Sequence, residues 1–511
     1  MMRSSLFGAL LVVALFPDMK SLATLGAPQQ ARANKLGPSR GHLTTGAFAI
    51  RNVTVIPMAG RTTIPAATVL VRDGRIAALG PASAVDVPAG VRVIDGSGKF
   101  LIPGLTDTHT HLLSDGAEVH DSAGPAELGV MLATGVTTAR LMIGTPEHLT
   151  LRTAVAEGKV IGPQLWVASP QLTGRASENA LVVTTPDEAR TAVKTASDAG
   201  YDFIKLTMFI SRPVYDAVTA EAKARGIRVV GHVEPQVGLA AAVAAHQQLE
   251  HLDTFIEEAL ADASPSQVSV TQGGVFQSAP WVTLDFVDDR KLDSLAGVVA
   301  RAGIYIGPTQ NVFNTAFGTG ETRAQLEDRP DWAFWPPRMR QGYLNAHTRY
   351  WDPARAGEKT EARRDRYVQV RNRLVKAIQD SGGNLISGSD TPEWFHMYGW
   401  GLHRELQALV NAGLTPHQAL TASTVNAAAF LGASKEWGTI EPGKRADLVL
   451  LTANPLEDIR NTLAIDAVSA GGRWLSRAEL HAMIAIGAKM TGGFLQQSPP
   501  RGANDQKSNG S

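Results

Sequence analysis

The chain of 511 residues contains no cysteine. Disulfides, thiolate metal ligands, thiol nucleophiles and a lipid-modified N-terminal cysteine are therefore excluded. Net charge is lacking too: 48 basic residues balance 48 acidic ones, and no basic block stands out. That removes the electrostatic footprint of a nucleic-acid binder. Charged residues are few, at 19%, and glycines number 49, a balance that suits a compact, turn-rich enzyme rather than a coiled coil or a disordered chain. Long apolar runs are missing except near the start, where Leu6 to Phe16 follows Met1-Met2-Arg3-Ser4-Ser5. This run is too short for a stable anchor, which takes ~20 residues, and it has the charged and apolar regions of a secretory signal. Small residues at Ser21-Leu22-Ala23 suit cleavage, so residues 1–23 read as a signal peptide and 24–45 as a loose leader. A short buried helix is the competing reading. The expectation is a secreted or periplasmic protein with no stable membrane anchor after cleavage, held by its core and its metals.

What is present is a regular alternation. Residues 46–100 hold β-rich runs, Phe48 to Ile56, Ala67 to Arg72 and Arg75 to Leu79, with Asp73-Gly74 as a hairpin turn. Residues 431–478 add a turn and strand ending in Leu451, then a strand from Val468 to Trp474. These two pieces are expected to pair as one small β domain. Between them, residues 101–430 alternate short apolar strands with helices. One helix opens with the capping box Thr185-Pro186-Asp187-Glu188 and ends at Ala199-Gly200. Counting the run from Leu101 as the first strand gives eight strand–helix units. The pattern predicts a (β/α)8 barrel with a small β-sandwich domain built from both chain ends. A doubly wound open sheet is the alternative, but no phosphate loop or dinucleotide fingerprint supports it. Residues 479–511 read as a C-terminal helix and a polar, disordered tail.

His109 and His111 end the first apolar run two residues apart, so in a strand both face one side. In a barrel, chemistry gathers at the C-terminal strand ends. Lys205 falls on the fourth strand, and His232, His251 and Asp390 at the ends of the fifth, sixth and eighth. Each has an ordinary reading: an incidental histidine, a snorkelling lysine, a helix-capping aspartate. Together they form a candidate set for a divalent metal, with zinc suited to imidazole and carboxylate donors. A lysine ammonium cannot ligate a cation, but a carbamate formed with carbon dioxide could bridge two. A hydroxide bridging two metals is a nucleophile at neutral pH, and Asp390 could shuttle its proton to a leaving group.

The motifs Ile102-Pro103-Gly104-Leu105-Thr106-Asp107-Thr108-His109-Thr110-His111, Gly135-Val136-Thr137-Thr138, Gly231-His232, Glu250-His251, Ser389-Asp390 and Gly438 to Leu448 resemble the amidohydrolase superfamily. The resemblance spans roughly residues 46–478 and is greatest to secreted, imidazolonepropionase-related and Xaa-Pro dipeptidase-like members, with ochratoxin-type amidases among them. It implies that His109, His111 and Asp390 hold the more buried metal, that His232 and His251 hold a second, and that Lys205 is the carboxylated bridging lysine. It implies hydrolysis of an amide or peptide bond, as in a dipeptide or N-acyl amino acid. The rival within the resemblance is a mononuclear deaminase or cyclic-amide hydrolase. That branch has His-X-X-Glu, whereas this chain reads His232-Val233-Glu234. A non-catalytic scaffold on the same fold is a third reading. Arg140, after the second strand, is a candidate for a substrate carboxylate or for an internal salt bridge. The segment with Trp332, Phe334, Trp335, Tyr343, Tyr350 and Trp351 is a candidate lid, or a helical insert on the barrel rim. His120, His396 and His403 are given no metal role. The expected partner is a small-molecule substrate, with no nucleic acid, and a homo-oligomer is compatible with the sequence.

Overall fold

The computed structural model describes residues 46–493 except 61, 113–125, 177–179, 265–280, 319–320, 336, 352–356 and 358–359. The proposed signal peptide, the leader, the tail beyond 493 and His120 lie outside the described residues. Among the described residues, no helix is long and apolar enough to cross a membrane.

Both chain ends build one eight-stranded sheet. Phe48–Val55 pairs antiparallel with Ile64–Arg72, which turns back into Arg75–Pro81. The turn is Asp73-Gly74, with φ of 49° and 75°, the left-handed pair that two-residue hairpins use. From the other end come Leu448–Leu451, Ile465–Ala470 and Arg473–Ser476. The single strand expected over Val468 to Trp474 is in fact the arms of a hairpin. Gly471 and Gly472 both sit at positive φ (56° and 83°), where a side chain is strained, and reverse the chain. Phe48, Ile50, Val69, Val71, Leu448 and Leu450 fill this domain's core.

The run from Leu101 does not open the barrel. Phe100–Pro103 pairs antiparallel with Leu448–Leu451 and closes the small domain. Gly104 then donates its N–H to the Asp447 carbonyl at 2.8 Å. A Cβ there would come within 2.0 Å of Thr137 Oγ1, so only glycine lets the chain pass from sheet to barrel.

The barrel strands are Leu105–Thr110, Val136–Leu141, Gln164–Val167, Phe203–Leu206, Arg228–Gly231, Gln248–Glu250, Tyr305–Gly307 and Asn384–Leu385. All pair parallel with their neighbours. The Ala168–Phe203 bridge joins the third strand to the fourth, and the Thr110–Thr391 bridge closes the eighth onto the first. The expected helix Pro186–Ala199 is capped by Thr185 and Glu188 and stopped by left-handed Gly200. Alternation decides which strand residues face inward. Ile204 and Leu206 pack with the outer helices, while Phe203 joins the interior cluster with Val230, Ile386 and Phe430. Lys205 shares the parity of Phe203, and Asp390 that of Ile386. The C-terminal helix Arg477–Gly493 packs on Ala126–Ala133.

Candidate metal centre

His109 is 1% exposed, and its Nε2 stands 3.2 Å from Asp390 Oδ1. His111 Nε2 reaches the same oxygen at 3.1 Å. The i, i+2 spacing thus delivers two imidazoles to one carboxylate. The backbone fixes the pairing: Asp390 N donates to the His109 carbonyl at 2.7 Å, and His111 N to the Thr391 carbonyl at 2.7 Å. Asp390 is itself held at φ 53°, outside ordinary strand geometry. Burial works against its charge, but His109, His111 and Lys205 outweigh burial and hold the carboxyl well below its usual range. Burial drives His109 toward the neutral, ligating form. The Nδ1 of His111 is buried without a hydrogen bond, while that of His109 faces a buried carboxylate oxygen of Glu250. Two imidazoles converging on one ionised carboxylate oxygen form a fitting donor set for a divalent ion. Among the described residues, this is the one group of three such side chains whose ligand atoms all lie within 4.8 Å.

Residues 100–475 match the family described as Amidohydrolase family. The chain belongs to that family. It is 26% identical over 419 residues to an imidazolonepropionase of Symbiobacterium thermophilum, covering 76% of this chain and 84% of the relative. It is 23% identical over 404 residues to adenine deaminase 3 of Rhizobium meliloti, covering 77% of this chain but only 53% of that longer protein. Its fold is similar to that of a putative prolidase from Bifidobacterium longum, with a TM-score of 0.62 and 24% identity over 87% of this chain and 99% of that one. The family fold and the triad are those of an enzyme that hydrolyses carbon–nitrogen bonds with a metal ion.

The other expected ligands of this amidohydrolase stand near the triad without completing a second one. His251 lies 4.8 Å from His109 and 4.4 Å from His232 between ring centroids. Its Nδ1 is 2.8 Å from Thr309 Oγ1, and His232 Nδ1 is 2.7 Å from Asp253 Oδ2. Lys205 is buried, and burial brings its pKa down to about 8 although Glu250 and Asp390 oppose the shift. Gly231 makes room for it: at φ 114°, an added Cβ would meet the Leu206 carbonyl at 2.2 Å and Lys205 Cδ at 3.0 Å. The expected pair of ions is therefore reduced to one cluster with three further inward groups beside it.

Arg140 requires a correction. It is fully buried in the barrel interior. It donates to the Thr108 carbonyl, to Gln248 Oε1 at 2.9 Å and to Glu250 Oε1. Its face stacks on Phe430 and Phe203, 4.9 and 5.4 Å from the ring centres. The structure shows the internal ion pair, with each of the three guanidinium nitrogens donating to a buried protein oxygen. The other oxygen of its partner, Glu250 Oε2, lies 3.0 Å from His109 Nδ1. Burial raises the Glu250 pKa against the pull of Arg140 and Lys205.

Sequence reasoning also missed the supports. Asp107 accepts from Ser389 Oγ at 2.5 Å and Ser389 N at 2.9 Å, bolting the first strand to the eighth beside both ligands. Its parity with His109 and His111 was the available signal. The seventh strand supplies none of the three clustered ligands, but the helix after it, Gln310–Phe317, carries a strut. Asn311 Nδ2 donates to the Ser389 and Gly401 carbonyls, both at 3.2 Å, and Asn311 N to Glu405 Oε2 at 2.8 Å. Asn311→Leu is expected to cost about 1–3 kcal/mol through the carbonyls left unpaired. Denaturant unfolding measures it, and a loss near zero would mean the strut carries no strain-free load.

Glu234 accepts from the Phe209 backbone N–H. His396 bonds Thr315, and His403 sits between Thr462 and the Thr134 carbonyl, so neither is a ligand. The aromatic segment packs as a rim insert. Trp335, Phe334 and Tyr343 are buried in the core, and Trp332 stacks on Phe395. The side chains of Tyr350 and Trp351 lie outside the described set. Two of the segment's arginines serve the protein itself: Arg329 binds Glu321 and the Phe395 carbonyl, and Arg340 the Trp335 carbonyl.

Proposed function

We propose that this chain hydrolyses an amide or cyclic-amide bond with one divalent ion held by His109, His111 and Asp390. The convergence of two histidine Nε2 atoms on Asp390 Oδ1 carries this reading. When bound there, a divalent ion polarises the substrate carbonyl and acidifies water. The chain's own residues do the rest. Burial holds His109 neutral for ligation. Asp390 Oδ1 faces the imidazoles, which leaves Oδ2, 3.8 Å from His251 Nδ1, to take a proton from the attacking water and give it to the departing nitrogen. Deamination with the same single ion is the other one-ion reading.

A two-ion dipeptidase or N-acyl amino acid hydrolase is the second reading. The 4.4 Å approach of the His232 and His251 rings beside buried Lys205 favours it. Metal content of the full chain, prepared with zinc available, separates the two. One ion per chain, lost in His109→Ala, is expected. Two ions, with the mass of carbon dioxide added to Lys205, would establish the second reading instead. No retained ion would overturn both.

A further inference from the structure

The turn that follows the sixth strand bears on three imidazoles. It runs from Glu250 to Thr254, and within it His251, Leu252 and Thr254 have φ of 63°, 61° and 71°. Left-handed backbone at residues other than glycine is sparsely populated and persists only where the surroundings fix it. Here they fix it from three sides. Arg371, itself buried, donates Nη1 to the His251 carbonyl at 2.8 Å and Nη2 to the Pro308 carbonyl at 2.7 Å. Thr254 Oγ1 donates to the Val233 carbonyl, next to His232, at 2.7 Å. His251 N donates to the Gly307 carbonyl at 2.9 Å.

The turn presents two carboxylates to two histidines. Glu250 Oε2 stands 3.0 Å from His109 Nδ1. Both atoms are buried and neither has a hydrogen bond elsewhere, so each is the partner the other lacks. Gly307 on the seventh strand leaves room for that oxygen: an added Cβ would lie 2.4 Å from it. Asp253 Oδ2 lies 2.7 Å from His232 Nδ1. The turn's own His251 has Nδ1 2.8 Å from Thr309 Oγ1. That hydroxyl donates its single proton to the Pro308 carbonyl at 2.8 Å, so toward the imidazole it accepts. An ionised carboxylate also only accepts. Each of these acceptors favours the tautomer with its proton on Nδ1 and the lone pair on Nε2.

We propose that the Glu250–Thr254 turn is the positioning element of the metal centre. Glu250 and Asp253 are its positioning residues: they hold His109 and His232 with Nε2 free to ligate. The proposal rests on the metal-dependent reading above. A ring held in this way needs neither to turn nor to move its proton when an ion arrives. Arg140 gains a second part here, since by taking Glu250 Oε1 it leaves Oε2 to His109.

Long-range nitrogen–proton NMR spectra of the full, metal-free chain, labelled in its histidine rings and kept mildly alkaline, read each tautomer directly. Zinc affinity, by competition with a chromogenic chelator, is the second readout. The wild type is expected to carry the proton on Nδ1 of His109, His232 and His251. In Glu250→Gln, Arg140 claims the one amide oxygen and the NH2 group faces His109, which moves the ring proton to Nε2. Zinc affinity then falls roughly 10- to 100-fold. Adding Arg140→Met frees the amide oxygen for His109 and restores both readouts. Asp253→Ala releases the His232 tautomer, and Asp253→Asn, which still offers an oxygen, keeps it. These Asp253 variants carry the test alone if Glu250→Gln fails to fold. An Nε2 proton on His109 or His232 in the wild type overturns the proposal. So does an unchanged tautomer in both Glu250→Gln and Asp253→Ala, which would leave the two carboxylates as structural partners. Expected tautomers in every variant, with no zinc bound by the wild type, would keep the positioning role and count against the metal-dependent reading instead.

Discussion

Asp390→Asn is expected to lower kcat on the order of 10³-fold for any amide the wild type hydrolyses, because it removes both a ligand and the proton carrier. The fold should survive. The backbone bonds of residue 390 to His109 and of Thr391 to His111 do not involve the side chain. In the wild type the two imidazoles and Lys205 favour an ionised Asp390. The amide keeps the shape but neither accepts a proton at neutral pH nor balances those groups. Steady-state kinetics and metal content on the same preparation check both effects. A variant within tenfold of the wild type would remove Asp390 from the proton path. Loss of metal without unfolding would separate its ligand role from its structural one.

Arg140→Met is expected to destabilise the protein by about 3–5 kcal/mol, the range for stripping one partner from a buried ion pair. The guanidinium and Glu250 are both buried, and no solvent reaches either to screen the orphaned carboxylate. Glu250 also faces His109, so its relaxation should loosen the first ligand. The companion variant Glu250→Gln with Arg140→Met removes both charges and should recover part of the loss. Denaturant unfolding of the single and double variants measures this. A single variant with unchanged stability but weakened substrate binding would restore Arg140 to the mouth of the barrel.

These two residues also show how far the sequence could be read. Asp390 was visible because Ser389-Asp390 follows an apolar strand and strand ends gather the chemistry in a barrel. His109 and His111 were visible because a period of two puts them on one face. Arg140 was legible only as a charge just after the second strand, open to a substrate carboxylate or an internal salt bridge. Its partner Glu250 sits on a strand far along the chain, and nothing local couples the two. The first strand failed for a similar reason. Leu101-Ile102-Pro103 is equally apolar in either domain, and only pairing with Leu448–Leu451 assigns it to the small one.

By itself the sequence determined the alternation of strands and helices, the caps and left-handed glycines that end the helices, and the residues able to ligate a metal. Those follow from local propensity and spacing, which act over a few residues. Tertiary structure alone decided which candidates meet. It brought His109 and His111 onto one oxygen of Asp390 and drew Arg140 down to Glu250. Those outcomes depend on barrel closure, which sets distances between side chains hundreds of residues apart and excludes the water that would otherwise screen them.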